Sequence, residues 1–277
     1  MKQSRVSIII PAKNSATMLS ACLQSIAGQS YEDIEIIIVD SNSADGTKAL
    51  AKKYGAILMQ YVPKVPKGTF DAPYKRNYGV AHAHGTYVYI VDADMELPKG
   101  LIAEAVKLCE KGADAVILPE DSFGIGPWAR AKNLERQCYW GDDTIEAPRF
   151  FKKSVWHDFG GLDESLGGGG DDWDMYEKLK YEGYHVMRTK LKVAHNEGKL
   201  HLWALMRKRF MYGRDSVQYI RKRPIAGFVS YFPVRKAYIK NWRLFISRPK
   251  DSVYFIIMRS AEYLAGLSGI IFSYIIK

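Results

Sequence analysis

The sequence predicts an α/β domain on a mostly parallel central sheet flanked by helices, followed by a helical C-terminal region. Three observations carry this. The strand-like segments of the first half are near-continuously apolar, as in sheets buried on both faces. Helical segments of about 10–15 residues separate them, the spacing of β-α-β units. The charge is divided. Residues 1–196 hold 24 basic and 26 acidic side chains, and residues 197–277 hold 16 and 4.

The elements follow in order. Arg5–Ile10 is a β-branched run closed by Pro11. Asn14–Ala27 has helical periodicity, with Met18, Leu19, Cys22, Leu23 and Ile26 on one face. Ile34–Val39 is a second apolar strand ending at Asp40, Asp45–Tyr54 a helix, and Ala56–Tyr61 a third strand. Pro73–His84 reads as a helix, Thr86–Val91 as a strand, Leu97–Cys109 as a helix and Ala113–Leu118 as a fifth strand. The pattern loosens over 119–170 and ends in four glycines, Gly167–Gly170, which suit a mobile loop beside a site. A helix from Asp171 to about Gly183 and a strand-like segment, His185–Ala194, complete this part.

Composition removes several classes. The chain has 277 residues, 47% of them hydrophobic, and a formal charge of +10. That is globular composition and argues against a disordered chain. Cys22, Cys109 and Cys138 are far apart and form no C-x-x-C pair, which excludes a disulfide framework and a zinc ribbon and fits a reducing cytosol. No signal peptide is expected, since Val6–Ile10 lacks a cleavage site. Neither a Walker A sequence nor a strand-anchored G-x-G-x-x-G occurs, which argues against P-loop NTPases and dinucleotide dehydrogenases.

Polar clusters follow three strands: Pro11-Ala12-Lys13-Asn14, Asp40-Ser41-Asn42-Ser43 and Asp92-Ala93-Asp94. Strand ends are where ligands bind in such sheets. Asp92 and Asp94, two residues apart, can turn carboxylates toward one hard cation that keeps positions open for substrate phosphates. Lys75 and Arg76 are the basic residues expected beside those phosphates. Asp171-Asp172-Trp173-Asp174 places three carboxylates at a helix start, where the dipole keeps them ionised. Such a carboxylate can accept a proton from an alcohol. His195 follows the last strand-like segment and could complete the metal set.

These landmarks together resemble family 2 glycosyltransferases, nucleotide-sugar-dependent enzymes with the GT-A fold. The resemblance runs over about residues 4–196. It rests on Val6–Pro11 with Asn14, on Ile36–Thr47, on Arg76-Asn77-x-Gly79, on Gly85–Asp94, on Gly160–Glu164 and on Asp171-Asp172. It implies that Asp40 contacts the nucleobase, that Pro11, Ala12 and Asn14 frame base and ribose, and that Arg76 and Asn77 wall the nucleotide pocket. Asp92 would lie near ribose and metal, and Asp94 would ligate Mn2+ or Mg2+ on the diphosphate of a UDP- or GDP-sugar, with His195 reaching the same ion. Asp172 would be the general base of an inverting displacement. The family usually has Glu-Asp at this point, so Asp171 and Asp174 stay open as candidates.

The last region, 197–277, lies outside the resemblance and reads as a second, membrane-interface section. Basic residues alternate with Trp, Tyr and Phe from Trp203 to Arg243, Tyr231 and Phe232 among them, a mixture that suits an anionic headgroup layer. Val253–Ile276 is apolar but broken by Arg259 and Glu262. Arg259, Glu262, Gly266, Gly269 and Ser273 share one side, which fits a bilayer-interface helix or a helix packed on the body. The expected partners are a nucleotide-sugar donor, a lipid-linked acceptor and an anionic membrane, at its cytoplasmic face, and not nucleic acid. The expected reaction is transfer of a sugar to an acceptor hydroxyl. A polyprenyl- or dolichyl-phosphate sugar synthase and a non-catalytic nucleotide-sugar-binding scaffold are the alternatives.

Overall fold

The computed structural model describes residues 4–62, 70–143, 145–166, 170–224, 227, 232 and 234–275. Gly167–Gly169, Tyr231 and Ile276, on which expectations above rest, lie outside them. The chain forms two compact units that interleave in sequence. The first takes Met1–Pro119, Ala147–Glu164 and Asp174–His195, and the second Glu120–Glu146, Ser165–Trp173 and Asn196–Lys277. The expected continuous body, 1–196, therefore lends two internal stretches to the unit that contains the tail.

The first unit is an α/β sandwich. Its sheet has seven strands in the order β3-β2-β1-β4-β8-β6-β9. These are β1 (Val6–Ala12), β2 (Ile34–Asp40), β3 (Ile57–Gln60), β4 (Tyr87–Ile90), β6 (Ala115–Ile117), β8 (Phe150–Lys152) and β9 (Val186–Arg188). The first four in chain order run parallel, as their apolar pattern requires. β8 is antiparallel to both neighbours and stands between β4 and β6, the fifth predicted strand. Three residues are too few to show a period, so this strand was invisible in the sequence. The strand expected over His185–Ala194 divides into β9 and β10 (Val193–Lys199), and β10 pairs antiparallel with β5 (Met95–Glu96).

Helices α1 (Ala16–Ala27), α2 (Thr47–Lys53), α3 (Ala72–Ala81), α4 (Leu101–Glu110) and α6 (Lys153–Asp158) belong to this unit. α1 starts two residues later than expected because Asn14 has φ 50°, and α4 starts after Gly100 at φ 88°. One side of the sheet buries Ile8, Ile10, Leu19, Leu23, Tyr89 and Phe150. The other buries Ile9, Ile37, Val39, Val88, Phe151 and Trp156. Successive β1 residues from Ile8 to Ile10 alternate between these cores, as a strand covered on both faces requires.

The second unit holds β7 (Glu120–Ile125), α5 (Pro127–Cys138), α8 (Leu202–Lys222), α9 (Lys236–Lys240), α10 (Trp242–Ser247) and α11 (Pro249–Ile275). Ala131, Leu134, Leu205, Phe255 and Met258 form its small apolar core. Beside that core lies a buried charge network. Arg259 Nη1 is 3.2 Å from Glu135 Oε1 and 2.6 Å from Glu262 Oε2. Lys132 Nζ is 2.7 Å from Glu135 Oε2, and the Tyr139 hydroxyl donates to Glu135 Oε1 at 2.6 Å. Burial pulls the Glu135 carboxyl upward, but Arg259, then Lys132 and Arg209, outweigh it and hold the carboxyl well below its ordinary value. The polar and small side of α11 thus faces inward.

Candidate active site

The sheet register sets the strand ends level. Ala12 pairs with Asp40 across β1 and β2, and Ile9 pairs with Ile90 across β1 and β4. The loops beyond them are tied together. Asn14 and Asn42 both have left-handed backbones, φ 50° and 55°, which asparagine tolerates better than most residues. The Asn14 N–H donates to Ser43 Oγ at 2.7 Å, and its Oδ1 accepts from the Ala44 N–H at 2.9 Å. The Ser41 N–H donates to the Ala12 carbonyl at 3.0 Å. Pro11 is half-buried at the end of β1, and Ala12 is buried.

Asp40 is fully buried. Its Oδ2 accepts the Ser43 N–H at 3.0 Å and the Gln60 amide at 3.3 Å, and its Oδ1 accepts the Ser43 hydroxyl. As placed, this carboxylate braces its own turn. Ser41 donates to Asp71 Oδ2 at 2.9 Å, and Lys75 Nζ is 3.0 Å from Asp71 Oδ1. Lys75, expected beside phosphates, is therefore buried and neutralised.

At the end of β4, Asp92 sits between two guanidiniums. Arg76 Nη2 is 3.1 Å from its Oδ1, and Arg149 Nη1 is 3.0 Å from its Oδ2. Arg149 escaped the sequence reading, because a lone Arg 57 positions from its partner leaves no pattern. Asp94 is turned differently. Its Oδ2 is 3.3 Å from His195 Nε2, and its Oδ1 is buried with no hydrogen-bond partner among the described residues. The β5–β10 ladder makes this pair, since His195 is in register with Met95. Beneath them the Cys22 thiol is pushed up by burial and then by Asp94 and Asp92, so it stays a neutral filler.

One carboxylate with an orphaned oxygen and one imidazole fit a hard or borderline divalent cation such as Mn2+. Among the described residues no group of three or more His, Cys, Asp or Glu side chains could hold a metal ion. Two protein donors suit an ion whose remaining positions go to water and substrate phosphates. The expected third ligand, Asp92, is engaged by the arginines.

Asn77 does not stand free as a pocket wall. Its amide donates to the Leu162 carbonyl at 2.8 Å and to Glu164 Oε1 at 3.1 Å, while its Oδ1 accepts the Leu162 N–H at 2.9 Å. Asp171 is buried and Asp172 half-buried at the start of α7 (Gly170–Tyr181). Both belong to the second unit, whereas Asp174, buried and 3.5 Å from Lys178 Nζ, belongs to the first.

Residues 7–162, more than half of the chain, match the profile of glycosyl transferase family 2. The chain belongs to that family. A glycosyltransferase of Streptococcus pneumoniae serotype 4, GlyG, is 32% identical over 118 residues, 40% of this chain and 38% of that protein. The GalNAc(5)-diNAcBac-PP-undecaprenol beta-1,3-glucosyltransferase of Campylobacter jejuni is 30% identical over 117 residues, 39% of this chain and 35% of that one. The chain thus spans less than two-fifths of the length of these curated relatives. Among solved structures, the mannosyltransferase PcManGT from Pyrobaculum calidifontis, in complex with GDP-Man and Mn2+, superposes with a TM-score of 0.65 at 20% identity. That match covers 98% of this chain and 88% of the other, and it shows the GT-A fold.

Several glycines of the matched segment have structural reasons. A Cβ on Gly79 would collide with Ile9 Cγ2, so the glycine lets α3 lie against β1. A Cβ on Gly85 would stand 2.6 Å from Ser7 Oγ and 2.7 Å from the Arg5 carbonyl. Gly161 combines φ 72° with close approach to Asn77 Oδ1. These glycines hold the fold that carries the strand-end carboxylates.

Proposed function

We propose that this family 2 glycosyltransferase moves a sugar, with inversion, from a UDP- or GDP-sugar to a hydroxyl of a lipid-linked acceptor at the cytoplasmic face of a membrane. The Asp94–His195 pair, with its orphaned buried oxygen, is the observation that carries the reading. In this proposal residues 1–196 supply the catalytic parts and 197–277 the membrane-associating part.

Asp94 and His195 would hold Mn2+ or Mg2+, which when bound offsets the charge of the departing nucleoside diphosphate. Arg76 and Arg149 leave one net positive charge around Asp92, and this favours the donor's phosphates. Pro11, Ala12, Asn14 and Asp40 shape the base and ribose side, with Asn77 fixing α3 behind it. Asp172 takes the proton of the acceptor hydroxyl as it attacks the anomeric carbon, with Asp171 as the neighbouring carboxylate. One base and one displacement give inversion. The donor in the PcManGT complex, GDP-Man, supports a nucleotide sugar, and the name of the Campylobacter relative supports a lipid-borne acceptor. The basic C-terminal region supports a membrane location.

The test is a thermal-shift panel of nucleotide sugars with Mn2+, since a bound donor raises the melting temperature. Asp172→Asn is then assayed for transfer. The reading predicts retained donor binding with transfer reduced at least about a hundredfold. An unchanged rate removes Asp172 as base, and no shift with any nucleotide sugar removes the donor class.

A further inference from the structure

α11 is turned inside out relative to a helix on a water-soluble surface. Arg259 and Glu262 are buried, Glu262 only 3% exposed, whereas Leu264 is 67% and Ile275 75% exposed. Val253, Ile256, Ile257, Leu264, Leu267, Ile271 and Ile275 are all exposed at helical spacing, and no charged residue falls among them. Water does not favour such a strip, and its length excludes a chance patch.

By length and composition α11 could also cross a bilayer. Its inner side argues against crossing. A Cβ on Gly213 would collide with the Gly266 carbonyl, and one on Gly269 with the Phe210 carbonyl, so α8 lies in backbone contact along α11. Arg209 Nε, from α8, is 3.5 Å from Glu262 Oε1, and the Arg221 guanidinium lies over the Tyr274 ring at 5.4 Å. A crossing α11 would draw α8 in with it. Exposed Arg207, Lys208, Arg221 and Lys222 would then enter hydrocarbon, where cations are strongly disfavoured. α9 and α10 add exposed Ile239, Trp242 and Ile246 interleaved with exposed Lys236, Lys240 and Arg243. That pairing of apolar anchors with cations complements an anionic headgroup layer.

We propose that α11 lies in the plane of an anionic bilayer, its outer strip sunk to the boundary of headgroups and acyl chains, and does not span it. The inference rests on the membrane reading above and adds the face and the depth.

Three full-length variants test it: Ile256→Cys, Leu264→Cys and Ile271→Cys, each carrying a nitroxide label. The native Cys22, Cys109 and Cys138 are buried, so labelling falls on the added thiol. Vesicles contain phosphatidylcholine with or without roughly 30% phosphatidylglycerol. On anionic vesicles all three labels should gain oxygen accessibility, lose nickel-chelate accessibility and report one depth within about 5 Å. Binding should fall at least about tenfold when salt rises from low to high. A profile with Leu264→Cys deep and the other two shallow means a spanning helix and overturns the proposal. So do labels that stay water-exposed. Labels immobilised without vesicles, with a dimer in sedimentation, would assign the strip to a second copy of the chain and also overturn it. The same samples are titrated with nucleotide sugar. Embedded labels without donor binding uphold the in-plane dock and remove the transferase reading, and donor binding with water-exposed labels does the reverse.

Discussion

Arg149 Nη1 lies 3.0 Å from Asp92 Oδ2, on the carboxylate oxygen opposite the one that Arg76 holds at 3.1 Å. The D-x-D of this chain is therefore divided in labour. Asp92 arranges two guanidiniums, and Asp94 turns toward His195. Removing Arg149 should weaken the proposed anion site without disturbing the proposed metal-holding pair. Arg149→Met is expected to lower nucleoside-diphosphate affinity about tenfold, roughly 1.4 kcal/mol, measured by calorimetric titration. Arg149→Lys should restore only part of it, because an ammonium lacks the planar fork. Unchanged affinity in Arg149→Met would make the trio purely architectural.

Asp94 and His195 make a separable prediction. Asp94→Asn keeps the shape but removes the charge, and His195→Gln removes the nitrogen donor. Free Mn2+, followed by its paramagnetic resonance signal in titrations with nucleoside diphosphate, should show affinity down at least about tenfold in Asp94→Asn. His195→Gln should lose less, since the anionic oxygen dominates for a hard cation. Equal Mn2+ affinity in wild type and Asp94→Asn would place the ion elsewhere.

The sheet was legible in advance because its signal is local. Apolar runs ending in Pro11, Asp40 and Asp92 need no knowledge of distant residues. β8 was not legible, since Phe150-Phe151 is too short to show a period and pairs with strands far along the chain. The strand-end carboxylates were found for the same local reason. The company of His195 and Asp94 was also anticipated, but the partners of Asp92 and Asp40 were not, because Arg149 and Gln60 reach them through tertiary structure alone. The stripe of Arg259, Glu262, Gly266 and Gly269 was also visible in sequence. Its direction was not, because periodicity separates two faces without saying which one meets water.

The buried network of the second unit sets an acid dependence. Glu135 titrates below its ordinary value because Arg259, Lys132 and Arg209 overcome the burial that pulls it up, and Glu262 is lowered as well. A depressed carboxyl stabilises the folded state fully above its unfolded value, near 4.5. That contribution is lost as pH falls toward the depressed folded value. Melting temperature should therefore drop between about pH 5 and pH 3. In Glu135→Gln the protein should be less stable at pH 7, by about 3 kcal/mol, because Arg259 keeps one buried carboxylate fewer. Its melting temperature should also fall less steeply with acid. Parallel acid profiles for the two proteins would refute the assignment.

Gly79 offers a packing test far from charge. A methyl there meets Ile9 Cγ2 and stands 3.1 Å from Val39 Cγ2. Gly79→Ala should cost about 1–3 kcal/mol in denaturant unfolding. Because α3 also carries Arg76 and Asn77, donor affinity should fall in the same variant, while Gly55→Ala, where φ is 65° but nothing lies within 4 Å, should cost stability alone.

Gly213, Gly266 and Gly269 remove the cushion of side chains that usually lets neighbouring helices slip past one another. α8 and α11 consequently behave as one stiff beam. If the outer strip docks on lipid as proposed, any tilt imposed on it would pass to α8 through the same angle, and a bilayer that thins or curves would turn the pair as a lever rather than bend one helix.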